Sequence, residues 1–143
     1  LVKTLHPKIH SGILAALNDK EQLKYLADSK AVAFDLVVEN LYPFAVAADA
    51  GSVEKARTNI DIGGVSLIEA AAKNFLRVSV VVSPIDYEKM LEEMKKSNGS
   101  CGIDIRLRLA KTAMDYLSAY IGNIGNYYDK LTTAAVKKEY KVE

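Results

Sequence analysis

Two short apolar, β-branched runs constrain the fold of this chain most. Ala33-Phe34-Asp35-Leu36-Val37-Val38-Glu39-Asn40 and Arg77-Val78-Ser79-Val80-Val81-Val82 read as strands of the continuous hydrophobic kind that is covered on both faces. Helical patterns lie before, between and after them. Two parallel strands alone make a marginal sheet. The pattern is that of the back half of a parallel α/β domain, with its other strands expected ahead of Leu1 or from another chain.

The helices have local signals. Pro7 starts one, since its missing N–H would be unpaired in a first turn. Ile9, Ile13, Leu14 and Leu17 follow at helical spacing. Asn18 or Asp19 caps a second over 20–29, with Leu23, Leu26 and Ala27 inward. Leu41-Tyr42-Pro43-Phe44 reads as a loop, because Pro43 cannot continue a central strand. Ser52 caps a short helix over 52–58, and Gly63-Gly64 precedes an apolar one over 65–74. Ser83-Pro84 stops the second strand and starts a charged helix to Lys96, with Tyr87, Met90, Leu91 and Met94 inward. Ile105, Leu109, Ala113, Met114, Leu117, Ile121 and Ile124 mark a long helix over 104–130. Gly122 and Gly125 weaken its end, each by about 1 kcal/mol relative to alanine. Residues 1–131 read as one domain and 132–143 as a polar tail or linker stub.

Nineteen basic against eighteen acidic residues leave a net charge of +1 over 143 residues. That balance gives no electrostatic reason to expect nucleic acid or an anionic membrane. Cys101 is the single cysteine, so no internal disulfide forms, and with His6 and His10 it is too few for a structural zinc site. The expected compartment is the cytoplasm. No apolar run approaches the roughly 18 residues of a membrane span.

Polar groups that fit acid–base chemistry fall in four clusters: Lys3-Thr4 with His6, Asn40 with Tyr42, Asp61 with Gly63-Gly64, and Lys73-Asn74. Each also has a structural reading. Lys3 and Thr4 can be solvated terminal residues, and Tyr42 part of an aromatic turn. Asp61 suits a helix N-terminus, Lys73 a C-terminus, and Asn74 a left-handed cap. The glycine pair offers N–H groups to an anion. His6 and His10 share a helix face, with packing or capping favoured over metal binding. In open α/β sheets ligands bind beyond the carboxyl ends of the strands, where Asn40 and Tyr42 stand.

Taken in order, Val2-Lys3-Thr4-Leu5-His6-Pro7-Lys8-Ile9-His10, then Phe34 through Asn40-Leu41-Tyr42-Pro43-Phe44, then Asn59-Ile60-Asp61-Ile62-Gly63-Gly64 and Ala70-Ala71-Ala72-Lys73-Asn74, closely resemble the IMP cyclohydrolase domain. That domain is the amino-terminal half of a bifunctional purine biosynthesis enzyme whose other half is the AICAR formyltransferase. The resemblance covers almost the whole chain, including the Ser83-Pro84-Ile85-Asp86-Tyr87 helix start and the helix after Cys101. It implies a methylglyoxal-synthase-like three-layer α/β/α fold with a mostly parallel sheet, its first strands missing from this chain. The implied reaction closes FAICAR to IMP with loss of water, without metal or organic cofactor.

By resemblance, Lys73 is the proton donor/acceptor and Asp61 its acid–base partner or orienter. Lys3 and Tyr42 donate hydrogen bonds to the oxygen that gains charge. Thr4, Asn40, the Ile62 backbone and the Gly63-Gly64 turn contact the substrate. A homodimer, and a formyltransferase domain in the full-length protein, are implied as well. This chain departs from the family at Leu1, where an arginine is usual, at Ser11, where Gly or Ala is common, and at Phe75, where a histidine is common. The family's first two strands and phosphate-binding loops precede Val-Lys-Thr, so the chain is expected to supply the carboxyl-terminal two-thirds of the domain and to hold FAICAR poorly alone. The alternatives are a lyase of methylglyoxal-synthase type and a nucleotide-sensing regulatory domain. The joint presence of Lys3, Tyr42, Asp61 and Lys73 favours catalysis.

Overall fold

The computed structural model describes residues 4–141. Two helices come first, α1 (Pro7–Leu14) and α2 (Lys20–Ser29). His6 caps α1, its Nδ1 accepting the Lys8 N–H, and Pro7 occupies the first turn. Asp19 caps α2 by accepting the N–H groups of Glu21 and Gln22. Strand β1 (Leu36–Val38) then runs parallel to β2 (Ser79–Val81), with Val37 opposite Val80. The ladder extends one bond at each end, from Ser79 N–H to the Asp35 carbonyl and from Glu39 N–H to the Val81 carbonyl. The paired region is shorter than either apolar run.

Between the strands lie α3 (Phe44–Asp49), α4 (Val53–Thr58) and α5 (Gly63–Lys73). After β2, a single 3₁₀ turn (Pro84–Asp86) leads into α6 (Tyr87–Lys96), then α7 (Ile103–Lys130) and α8 (Thr133–Glu139). Val80 and Val81 point to opposite faces of the sheet and enter separate cores. Val80 packs with Ile13, Ile68, Ala71 and Ala113 from α1, α5 and α7. Val81 packs with Met90, Cys101 and Leu109, joined by Leu36. The result is an α/β arrangement with helices on both faces of a small parallel sheet. β2 is buried throughout, whereas Val38 of β1 is 48% exposed. No helix among the described residues is long and apolar enough to cross a membrane.

One side chain ties the amino end of the sheet together. Arg77 sits in the turn between α5 and β2. Its Nη2 donates to the carbonyls of Gly12 and Ile13, its Nε to Ala15, and its Nη1 to Phe34 and to Asp35 Oδ1. The α1 carbonyls lie at a helix end, where no intrahelical N–H remains to bond them. Asn74 adds a bond from its side-chain amide to the Ile13 carbonyl. Its φ is −95°, so it closes α5 without the left-handed conformation expected of it. Beside this knot, Gly12 has no room for a side chain: a Cβ there would stand 2.0 Å from the Val32 carbonyl oxygen.

Several sequence expectations are corrected. Phe44, expected as the end of a loop over 41–44, instead opens α3, which no local signal marked, and stands edge-on to Tyr120 and Tyr127 of α7. The segment after Leu131, expected to fray, contains α8. Glu139 at its end accepts the N–H groups of Val53 and Glu54 and the Ser52 hydroxyl, so it caps α4 from outside. These bonds hold the Glu139 carboxyl below the usual glutamate range, the Glu54 N–H contributing most. Of the apolar positions assigned inward, Leu23, Ala27, Leu91, Met114 and Ile121 are exposed. Packing on α3 through Tyr127 and Ile124 carries α7 through both of its glycines.

Replacing Arg77 by leucine removes five hydrogen bonds at once from the amino end of the sheet. We expect Arg77→Leu to lose about 2–4 kcal/mol of stability in urea denaturation, on the scale of unpaired buried acceptors. Asp35 is 79% exposed in its ion pair with Arg77. Asp35→Asn should therefore stay within about 0.5 kcal/mol of the native chain.

Candidate active site

The turn ahead of α5 is built around Asp61, which is only 8% exposed. Its Oδ1 accepts the Gly64 N–H at 2.8 Å. Its own backbone N–H donates to the Tyr120 hydroxyl at 2.8 Å, and that hydroxyl donates to the Asn59 carbonyl. Both ends of the aspartate are thus fixed, one by its own helix and one by α7. Gly64 is dictated by space: a Cβ there would lie 2.7 Å from a methyl carbon of Leu41 and 3.0 Å from Asp61 Oδ2. The Gly64 N–H, read from sequence as open to an anion, is committed to Asp61.

A cleft of about 90 Å³ opens in front of Asp61, at the carboxyl ends of the strands. Thr4, Glu39, Tyr42, Asp61, Gly63 and Gly64 line it. Thr4, Tyr42, Asp61 and the glycine pair come from three separate segments and meet at this cleft. Ile62, 49% exposed, is the residue from which α5 starts. The cleft is well below the roughly 300 Å³ at which small-molecule sites begin, so it accommodates part of a nucleotide only.

Other expected site residues are not gathered there. Asn40 turns the opposite way: its amide donates to the Val82 carbonyl and accepts from the Tyr87 hydroxyl, tying β1 to β2 and α6. Lys73 is exposed at the far end of α5. Ten residue steps at 1.5 Å each put it about 15 Å from Gly63. The expected Asp61–Lys73 acid–base pair is therefore not formed within one copy of the chain. Lys3 lies outside the described residues. His10 is not poised for a ligand, since its Nε2 bonds the Ser66 hydroxyl and joins α1 to α5.

Glu39 was not singled out by its sequence. It lines the cleft beside Asp61, and burial first, then the charge of Asp61, hold its carboxyl above the usual glutamate range. The signal available was a carboxylate interrupting an apolar strand. A larger cavity, about 580 Å³, lies at the opposite, amino end of the strands, between Asp35, Ser79, Met90, Cys101 and the arginines Arg77 and Arg106. Arg77 is already engaged by four backbone carbonyls and Asp35 Oδ1, and the three nitrogens of Arg106 by the carbonyls of Phe75, Cys101 and Leu76. The chemistry therefore favours the smaller cleft.

A model of the AICARFT/IMPCHase bienzyme family matches residues 71–143. The bifunctional purine biosynthesis protein PurH of Acidithiobacillus ferrooxidans is 44% identical over 132 residues, 91% of this chain and 25% of that protein. PurH of Rhodospirillum rubrum is 44% identical over 128 residues, 89% of this chain and 24% of that protein. The chain thus spans about a quarter of the length of these curated relatives. Among solved structures, the crystal structure of ForH superposes with a TM-score of 0.73 at 28% identity, over 87% of this chain and 65% of that one.

Two stability measurements test the site's construction. Tyr120→Phe leaves the Asp61 N–H without its acceptor, and should cost about 1–3 kcal/mol in chemical denaturation. Glu39→Gln should have the opposite effect. A carboxyl with a raised folded-state pKa favours folding below its unfolded value, and loses that contribution as pH rises through the folded one. The amide cannot ionise, so Glu39→Gln should melt above the native chain at neutral pH. The gap should close as pH falls below the usual carboxylate range.

Proposed function

The chain belongs to the AICARFT/IMPCHase bienzyme family, and from that we propose that its cleft is part of an IMP cyclohydrolase site. The fold proposed for the complete domain is the methylglyoxal-synthase-like three-layer one, in the cytoplasm, with a formyltransferase domain elsewhere in the full-length protein. The reaction is the intramolecular closure of FAICAR to IMP, with water as the other product.

One observation carries the reading: Thr4, Tyr42, Asp61 and the Gly63-Gly64 turn converge on one cleft beyond the carboxyl ends of two parallel strands. Ring closure asks for such a set. An amide nitrogen is a poor nucleophile, so a base must take its proton as it attacks the formyl carbon. The formyl oxygen gains charge and needs donors, which Tyr42 and Lys3 supply in this reading. The hydroxyl must then leave as water, which requires an acid. Both reacting groups belong to one substrate, so holding them in contact supplies much of the rate. The phosphate end of FAICAR extends past this small cleft, toward loops that precede Leu1 in the family.

Asp61 is the base of this scheme. Lys73, about 15 Å along α5, keeps its proposed proton-transfer role only in a site completed by a second copy, in the proposed homodimer. FAICAR conversion, followed by ultraviolet absorbance, tests the reading on this chain and on a version extended upstream with a relative's phosphate-binding segment. Turnover is expected in the extended protein, and its absence there would end the cyclohydrolase assignment. In the active protein, Asp61→Asn should lower kcat about 100-fold or more. Mixing inactive Asp61→Asn with inactive Lys73→Ala protein should restore part of the activity if the two residues act across copies. No recovery would remove Lys73 from the site of Asp61.

A further inference from the structure

Strand β1 sends alternate side chains to opposite faces. Val37 enters the core beneath α1 and α5, and Leu36 enters the other core with α6 and α7. Two residues beyond Val37, Glu39 continues toward α5, where the apolar face calls for a hydrophobic residue. Asn40 takes the Leu36 side, where Val82 and Tyr87 occupy its amide. Glu39, the residue just after β1, is thus the side chain this segment delivers to the cleft. It stands there half-buried with Asp61, so two carboxyl groups share one small opening.

We infer that Glu39 is a further catalytic residue, the general acid of the ring closure, working in its protonated form opposite Asp61 as general base. This rests on the cyclohydrolase reading of the cleft. The two environments divide the roles. Asp61 is held as an acceptor by the Gly64 N–H at the start of α5. Glu39 sits on an apolar strand face beside that negative charge, and both burial and Asp61 favour its neutral form. The polar side chains that line the cleft with it are Asp61 from the turn before α5, Tyr42 from the loop after β1 and Thr4 from the segment before α1, with the Tyr120 hydroxyl of α7 bonded to the Asp61 backbone. Among the described residues that line the cleft there is no cation, and Lys3, which the cyclohydrolase reading also brings to the formyl oxygen, lies outside the described residues.

The proton inventory closes. The carboxamide nitrogen of FAICAR bonds to the formyl carbon, and Asp61 takes one of its protons. The carbonyl π pair moves to the formyl oxygen, which takes the proton of Glu39 and becomes a hydroxyl. The C–O bond then breaks as the formamido nitrogen forms the C=N bond. The hydroxyl departs as water with the proton held by Asp61, and the Glu39 carboxylate removes the proton from the formamido nitrogen. Both side chains return to their starting forms and one water is lost. Paired carboxyl groups with separated roles are a general solution for such chemistry near neutral pH.

The test uses the upstream-extended protein that converts FAICAR, with Glu39→Gln, which keeps the shape and cannot give a proton, and Glu39→Asp. We expect kcat for Glu39→Gln to fall about 100-fold, the scale of acid–base contributions, with KM little changed. The native protein's loss of kcat on the alkaline side should vanish in Glu39→Gln, and Glu39→Asp should recover part of the rate. Carboxyl NMR on the present chain should show Glu39 titrating above the usual range, and lower in Asp61→Asn. Retention of kcat within about threefold in Glu39→Gln, an unmoved alkaline limb, or an ordinary Glu39 titration each overturns this assignment while leaving the cyclohydrolase reading in place. Failure of the native extended protein to convert FAICAR overturns both.

Discussion

The guanidinium of Arg77 is the constraint on which the rest of the structure depends. It stands where α1 ends, β1 begins and β2 begins, and it gathers carbonyls from the first two while belonging to the third. The Gly12 carbonyl also accepts the Phe34 N–H, and those of Ile13 and Ala15 the Asn74 amide, so the guanidinium completes a shared network. A flat fork of five donors can serve several at once, which a lysine cannot. With Asn74 bonding the same α1 end, the amino edge of the sheet becomes a closed polar knot under two hydrophobic cores. The position of β1 against β2 and α5 follows from it.

That fixed edge leaves the opposite edge free for chemistry. At the carboxyl ends of the strands the polar groups are held from behind. Tyr120 holds the Asp61 backbone, Asp61 holds Gly64, and Tyr116 accepts the Leu41 N–H beside the cleft. A site mounted this way is rigid in its backbone while its carboxyl groups remain in contact with the opening. Glu39 is the element that works against stability, a carboxyl on a face that packing would fill with an apolar side chain. Such local conflict is characteristic of functional sites.

Local signals in the sequence were accurate where the physics is local. Asp19, Ser52 and Ser83 mark helix or turn starts because each accepts an N–H two or three residues on, and Pro7 marks one because it brings no N–H to the first turn. α3 and α8 were not legible because distant groups hold them: Phe44 needs the rings of α7, and α8 is tied to α4 through Glu139. Leu91 and Ile121 fit a helical period and still face outward, since period gives a stripe and packing decides how much of it is covered. Asp61 and Lys73 are close in sequence, and three turns of helix separate them. Glu39 and Asn40 are adjacent in sequence and face opposite ways.

By itself the sequence determined the α/β class, most of the helices, the family and the order of the segments that bring Thr4, Tyr42 and Asp61 forward. These follow from hydrophobic period, caps and motif order, all of which act over a few residues. Only the tertiary structure decided that Asp61 is clamped from α7, that Asn40 turns away, that Glu39 shares the cleft, and that Lys73 is too far from Asp61 to pair with it in one copy. Those outcomes depend on which faces of distant segments are pressed together, and the pressing is done by the two cores and the Arg77 knot.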